Sequence, residues 1–186
     1  KIMSEVSFND VYTLYKDQIK GIDFNHKIII LDNFDFSSVT SMKSMFANAT
    51  NFTLKADVWN TSNVTDMSFM FSDAKKFDLN IKKWNASNVE NMSFMFSDAN
   101  NFILNITEWD TSNVENMSYM FSDANNFKLN ITEWDTSNVK KMTGMFKGAT
   151  SFNQPLKFNT SNVKNMSYMF EGAESFDNPL NFNTSN

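Results

Sequence analysis

Residues 109–127 read WDTSNVENMSYMFSDANNF, and residues 134–152 read WDTSNVKKMTGMFKGATSF, the same pattern 25 residues later. Further copies of the pattern recur on either side of these two stretches at intervals of 24 or 25 residues. They begin at Phe34 (in degenerate form), Trp59, Trp84, Phe158 and Phe182. A unit this short cannot bury its own apolar face, so consecutive copies must stack on one another for the chain to fold.

Each repeat contains two apolar patterns. Between Met67 and Ala74 the apolar residues follow the i, i+3, i+4, i+7 spacing of one helix face, which predicts a helix of two turns. Downstream, Phe77, Leu79 and Ile81 alternate with polar residues, which is the period of a half-buried strand. The sequence therefore predicts an α/β repeat solenoid, a stack of short parallel strands and short helices.

A recurring asparagine is expected to join the copies at their turns. Asn63 and its equivalents follow a Thr-Ser or Ala-Ser pair in every copy. An asparagine amide donates and accepts hydrogen bonds, so it suits backbone groups that a turn leaves unpaired. We predict a polar ladder of these amides along the stack.

The first part of the chain departs from the repeat. Residues Phe8 to Ile19 have the pattern of an amphipathic helix, and Lys27 to Leu31 form a β-branched strand candidate. We predict that residues 1–33 form an N-terminal cap and that residues 34–186 form a solenoid of about six repeats, truncated in a seventh. A leader, a lipid or wall anchor and further repeats are expected to lie outside this stretch.

Composition excludes several classes of partner and site. The net charge is −5 and no basic stripe is present, which argues against nucleic acid as a partner. The absence of cysteine removes disulfides and thiolate metal sites. No run of about 18 apolar residues is present, so we predict no transmembrane segment in this fragment.

Candidate catalytic and metal-binding residues are few. His26 is the single histidine and has no marked partner nucleophile, while Asp110 and Asp135 occupy equivalent repeat positions, as expected of structural residues. The recurring Ser-Asp-Ala at Asp98 and Asp123 lacks the glycine and converging oxygen ligands of a calcium loop. We therefore predict no enzymatic activity, no metal site and no cofactor.

Two rows of residues are candidates for partner binding. Aromatic residues recur two positions after the first methionine of the repeat, with Gly144 interrupting the row. An exposed aromatic stripe is a plausible docking surface, although the rings could instead seal the edge of the stack. The outward side of the predicted strands supplies the second row, and neutral variation on a solvated surface explains it equally well. The candidates are Phe69, Phe94, Tyr119 and Tyr168 in the first row and Asn80, Asn105 and Asn130 in the second.

The repeat Trp-Asp-Thr-Ser-Asn-Val-x-x-Met-x-x-Met-Phe-x-x-Ala-x-x-Phe, complete in residues 109–127 and 134–152, resembles the repeats of BspA-like leucine-rich-repeat surface proteins. The version with Asn153-Gln154-Pro155-Leu156 is similar to the form found in mollicute lipoproteins. The resemblance implies a leucine-rich-repeat-like solenoid on the outside of a bacterial cell, with a role in adhesion. It brings no catalytic or ligand-binding residues, and residues 1–33 carry no part of it.

The sequence is consistent with two functions. The first is an extracellular interaction or adhesion module that binds a protein or surface glycan of a host or neighbouring cell through the solenoid surface. The alternative is a structural spacer, or a subunit of a surface assembly, with no ligand of its own. The oligomeric state is left open by the sequence.

Overall fold

The computed structural model describes residues 28–29, 36–54, 57–100 and 104–182. Its three strands are β1 (Ile28–Ile29), β2 (Thr50–Leu54) and β3 (Lys75–Leu79). They form one parallel sheet in the order β1-β2-β3. The register pairs Phe52 with Phe77, so strands of consecutive repeats lie side by side one repeat apart.

The predicted α/β repeat solenoid, a leucine-rich-repeat-like stack of helices and strands, is wrong. The described ranges contain no helix, and after β3 they contain no further strand. In two later copies, the amide of Phe127 donates to the carbonyl of Ala124 at 3.0 Å, and Phe152 donates to Ala149 at 3.2 Å. These turns lie at the position that Phe77 occupies in β3, so the extended run expected from the alternating residues does not form there.

The predicted cap falls almost wholly on residues that are not described. The helix expected between Phe8 and Ile19 lies outside the described residues, and only β1 of the strand expected at Lys27 to Leu31 lies within them. The boundary between residues 33 and 34 therefore stays a prediction.

Consecutive repeats are joined by backbone hydrogen bonds that replace those of a helix. A helical N–H donates to the carbonyl four residues earlier in its own segment. Here every second N–H between Met67 and Asp73 donates instead to the next coil. Of the N–H groups between them, those of Met70 and Ser72 donate to the carbonyl three residues back, and that of Ser68 donates to Oδ1 of Asp66. The bonds to the next coil are Met67 to Asn91 (2.9 Å), Phe69 to Ser93 (3.0 Å), Phe71 to Met95 (2.9 Å) and Asp73 to Ser97 (2.8 Å).

Two residues in each such segment adopt the left-handed conformation, for example Phe69 at φ 58° and Asp73 at φ 56°. Each reverses the chain, so that one tight turn follows another. This succession of turns sends Met67, Met70 and Ala74 to the same buried side that a helix would have given them. The apolar spacing therefore fits both structures, and it predicted the buried residues correctly but the backbone wrongly.

Equivalent side chains form continuous ladders through the core. The rings of Phe46, Phe71, Phe96, Phe121, Phe146 and Phe170 stack with successive centroids 5.4–5.8 Å apart. A second ladder runs through Trp59, Trp84 and Trp109. Each fully buried phenylalanine contributes about 1.5–3 kcal/mol through the apolar surface it removes from water, so the stack is stabilised mainly between coils.

The predicted asparagine ladder is present. The Nδ2 atoms of Asn88 and Asn113 donate at 2.6 Å to the backbone carbonyls of Ser62 and Ser87 in the preceding coil. Asn63, Asn138 and Asn162 make the same contact at 2.6–2.7 Å. Polar ladders and apolar ladders thus both run along the axis of the stack.

Glycine substitutions distinguish this turn structure from a helix by the sign of their effect. We predict that Asp73→Gly raises the free energy of unfolding by up to about 1 kcal/mol, because glycine adopts positive φ without the Cβ clash. In a helix the same change would lower it by roughly 0.3 kcal/mol, the difference between the helix propensities of aspartate and glycine. Denaturant-induced unfolding monitored by tryptophan fluorescence measures the difference.

The neighbouring Ser72, which is not among the residues with positive φ, is the matched control. Ser72→Gly should lower the free energy of unfolding by about 0.5–1 kcal/mol, since glycine there only adds freedom to the unfolded chain. If both variants lost the same free energy of unfolding, the positive φ assigned to Asp73 would be contradicted.

Candidate partner-binding surfaces

Three of the four candidate aromatic residues form one stack on the surface of the coils, named here the aromatic row. The rings of Phe69 and Phe94 are parallel within 6° with centroids 4.6 Å apart, and those of Phe94 and Tyr119 are 4.7 Å apart. All three side chains are half-buried. The structure therefore brings Phe69, Phe94 and Tyr119 together as a single apolar strip.

The row stops at Gly144. A Cβ built on Gly144 would lie 2.4 Å from Cε1 of Tyr119, so the tyrosine ring covers the place where a side chain would begin. Tyr168, one coil further, is 61% exposed and has the Lys147 Nζ 5.8 Å from its ring centroid. The structure thus separates Tyr168 from the aromatic row.

The backbone of the aromatic row is strained. Phe69, Phe94 and Tyr119 have φ of 56–58°, a conformation that costs a side-chain-bearing residue about 1–2 kcal/mol. Ser44 and Gly144 hold the same backbone at φ 59° and 58° in other coils. The coil therefore does not require an aromatic residue at this position. Ring stacking of about 0.5–1.5 kcal/mol per pair offsets part of the strain.

The way the rings stack decides which part of them meets solvent. Because the rings are face to face, their faces cover one another and the accessible parts are their edges. A sugar ring binds by lying on an exposed aromatic face, and the middle of the aromatic row offers none. A strip of apolar edges suits the side chains of a protein partner instead.

The second predicted row is exposed but already engaged in local turns. Oδ1 of Asn80, Asn105 and Asn130 accepts a hydrogen bond from the amide two residues later, at 3.3, 3.2 and 3.0 Å. Asn105 Oδ1 also accepts from Thr107 Oγ1 at 2.9 Å. These are Asx-turns, so each side-chain oxygen has a structural use.

A groove beside Asn130 was not identified from the sequence. It encloses about 700 Å³ and is lined by Thr107, Glu108, Trp109, Asn130, Thr132 and Glu133. Glu108 pairs with Lys82 at 3.1 Å and Glu133 pairs with Lys157 at 3.7 Å, all four side chains being largely exposed. Such pairs contribute little to stability. The groove could have been predicted from one feature of the sequence, the recurrence of Glu immediately before Trp109 and Trp134.

A column of carboxylates runs through Asp73, Asp98 and Asp123, which also have positive φ. Burial, followed by repulsion from Asp73 and Asp123, raises the pKa of the Asp98 carboxyl above its ordinary value. Among the described residues, no group of three or more histidine, cysteine, aspartate or glutamate side chains is placed to hold a metal ion. The stacking of the coils thus places Asp98 where its negative charge is repelled by those of Asp73 and Asp123.

Comparison with known proteins identifies one family. The model of the family described as "Mycoplasma protein of unknown function, DUF285" matches residues 9–107 and 100–186. Searches of the curated proteins and of the solved structures gave no match. Within the described part of the chain, no helix is long and apolar enough to cross a membrane.

The carboxylate column leads to a prediction about stability and pH. Asp98→Asn should raise the free energy of unfolding near neutral pH by about 0.5 kcal/mol, the size of a like-charge contact. Asparagine also tolerates positive φ, as Asn48 does at the equivalent position. Since the pKa of Asp98 is raised on folding, acidification towards its ordinary value of 3.8 protonates the folded state first and stabilises the wild type. The advantage of the variant should therefore shrink as pH falls.

Asp135→Asn serves as the control. Hydrogen bonds from Ser137 lower the pKa of Asp135, so its charge favours folding above that pKa and this contribution is lost on acidification. This variant should gain no stability at neutral pH. Thermal unfolding across a pH series measures both effects. If the stability advantage of Asp98→Asn over the wild type grew as the pH fell, the raised pKa assigned to Asp98 would be contradicted.

Proposed function

Since the chain belongs to the DUF285 family of Mycoplasma proteins, we propose that it is a cell-surface interaction module that binds a protein partner through the aromatic row. The resemblance of the repeat sequence to those of BspA-like surface proteins supports placement outside the bacterial cell. That resemblance concerns the repeat sequence only, because the helices and strands it implied are not those of this chain.

The observation that carries the proposal is the presence of bulky rings where the coil does not need them. Phe69, Phe94 and Tyr119 occupy a strained backbone position that Ser44 and Gly144 also fill. Their side chains are half-buried, so an apolar strip remains in contact with water. Aromatic residues of this kind dominate the energetics of protein interfaces, and binding would remove their remaining apolar surface from water.

The chemistry of the strip favours protein over glycan as the partner class. The ring faces are covered by one another, which leaves edges and the spaces between coils for the side chains of a partner. The chain is also acidic, with a net charge of −5, so a partner with a basic rim around an apolar centre would associate faster.

One observation favours the alternative, a structural spacer within a surface assembly. The stacking of Phe69 on Phe94 and of Phe94 on Tyr119 stabilises contacts between coils whether or not a partner binds. In that case the row would act only as a seal on the edge of the stack, and the protein would need no ligand of its own.

Substitution of the row tests the proposal. The variant with Phe69, Phe94 and Tyr119 all changed to Ser should lose at least about tenfold in affinity for host cells and immobilised host matrix proteins, because the apolar strip is removed. Serine keeps the backbone, since Ser44 holds the same φ. Binding is measured by surface plasmon resonance and by cell adhesion, with unfolding curves to show that the variant is folded.

The control variant changes Asn80, Asn105 and Asn130 to Ser, whose hydroxyl oxygens can accept the hydrogen bonds of the present Asx-turns, and leaves the net charge unchanged. It should bind like the wild type. Undiminished binding by the serine variant would contradict the proposal, and loss confined to glycan-bearing ligands would identify a glycan as the partner. Deletion of residues 109–133, one whole repeat, separates the alternatives, because a spacer keeps its role after this loss and the aromatic row does not.

A further inference from the structure

The aromatic row and the carboxylate column belong to the same three coils. In each of these coils an aspartate follows the ring four residues later, and the pairs are Phe69 with Asp73, Phe94 with Asp98 and Tyr119 with Asp123. The coil before them has Ser44 and Asn48 at the two positions, and the coil after them has Gly144 and Gly148. Rings and carboxylates therefore begin and end together along the stack.

One tight turn joins the row to the column in each coil. The amide that precedes each aspartate donates to the carbonyl of the ring-bearing residue at 3.2 Å, and these donors are Ser72, Ser97 and Ser122. The other two residues of the turn, such as Met70 and Phe71, are fully buried. Small serine side chains are thus all that the turn places between the rings and the carboxylates.

The row and the column also lean towards the same neighbouring coil. A Cβ built on Gly144 would overlap the ring of Tyr119, and one built on Gly148 would overlap Oδ1 of Asp123. The last ring and the last carboxylate therefore both cover a glycine of the following coil. They lie side by side and form one continuous surface.

The charges of the column are not neutralised locally. Asp73 and Asp123 are exposed and Asp98 is half-buried. Within the described ranges none of the three forms an ion pair. Burial and repulsion from the two flanking carboxylates raise the pKa of Asp98 in spite of the attraction of Lys75. A cation supplied from outside the chain would relieve this repulsion.

The chain contains an example of such a cation. Lys147 Nζ lies 5.8 Å from the ring centroid of Tyr168 and 3.7 Å from Oε1 of Glu171. Tyr168 occupies the repeat position of the aromatic row, and Glu171 immediately precedes the position of the carboxylate column. A lysine or arginine suits this place because its methylene stem packs on apolar surface while its charged end reaches a carboxylate.

We propose that the aromatic row and the carboxylate column together form a docking surface for a basic polypeptide segment in which lysine or arginine side chains alternate with apolar ones. The apolar side chains cover the edges of the rings. The cationic side chains lie along the same edges and pair with Asp73, Asp98 and Asp123. This inference rests on the proposed function, since it names the chemistry of the partner for the same surface.

A heptapeptide of alternating lysine and leucine, blocked at both ends, is the probe, and isothermal titration calorimetry measures its affinity for the full 186-residue chain. The variant with Asp73, Asp98 and Asp123 all changed to Asn should bind it at least about tenfold more weakly, because three charge contacts are removed. Its affinity should also lose most of its dependence on salt concentration. Asparagine keeps the backbone, since Asn48 holds φ at 62°.

Two controls separate local pairing from overall charge. The variant with Glu90, Glu108 and Glu133 all changed to Gln alters the net charge by the same amount at exposed positions outside the row and the column. It should bind the peptide nearly as tightly as the wild type and keep the salt dependence. The same peptide with glutamate in place of lysine should show no binding, because the column repels it.

The outcomes distinguish failure of this inference from failure of the proposed function. Equal losses of affinity in the Asn and Gln variants, or no binding of the lysine peptide by the wild type, would overturn the inference. If the serine variant of Phe69, Phe94 and Tyr119 bound weakly while the Asn variant bound like the wild type, the inference would fail and the aromatic row would keep its role. Binding by the serine variant that equals that of the wild type would overturn both.

Discussion

The structure depends on the division of the backbone amides between two sets of acceptors. In the segment from Met67 to Asp73, one amide bonds across to the next coil and the following one bonds back within its own turn. Buried amides must have acceptors, and this alternation satisfies them without helix or continuous sheet. It also fixes the register, because a slip by one residue would exchange the two sets. The apolar and polar ladders follow from that register.

Two residues per coil at positive φ make this alternation sterically accessible. The second of these positions carries Asn48, then aspartates, then Gly148 and Gly172, the residue types that tolerate the left-handed region best. The residues at the first position are unexpected, because Phe69, Phe94 and Tyr119 are bulky and tolerate positive φ poorly. Strain of this kind persists where the surrounding contacts over-determine the backbone, and it is concentrated at functional sites. The proposed partner-binding role of the aromatic row rests on this contrast between the two positions.

Much of the organisation could be predicted from residue spacing. The repeat period, the buried methionines and phenylalanines and the donation by Asn63 and its equivalents all follow from the recurrence of residue types. The backbone conformation could not be predicted in the same way, because consecutive tight turns bury positions i, i+3, i+4 and i+7 as a helix does. The positive φ could have been predicted at one position of the repeat, where Gly148 and Gly172 replace the aspartate of other copies.

The candidate surfaces were predictable to different degrees. Sequence spacing identified the aromatic row, but the stacking of its faces and the covering of Gly144 by Tyr119 depend on distances between coils. The groove at Glu108 and Glu133 required knowledge of which loops are adjacent.

Scalar coupling through hydrogen bonds, measured by NMR on isotope-labelled protein, tests the arrangement of the backbone most directly. We expect a coupling between the amide nitrogen of Phe71 and the carbonyl carbon of Met95, one coil away, where the donor and acceptor atoms are 2.9 Å apart. A coupling from Phe71 to the carbonyl of Met67, four residues earlier, would show a helix in place of the alternating turns.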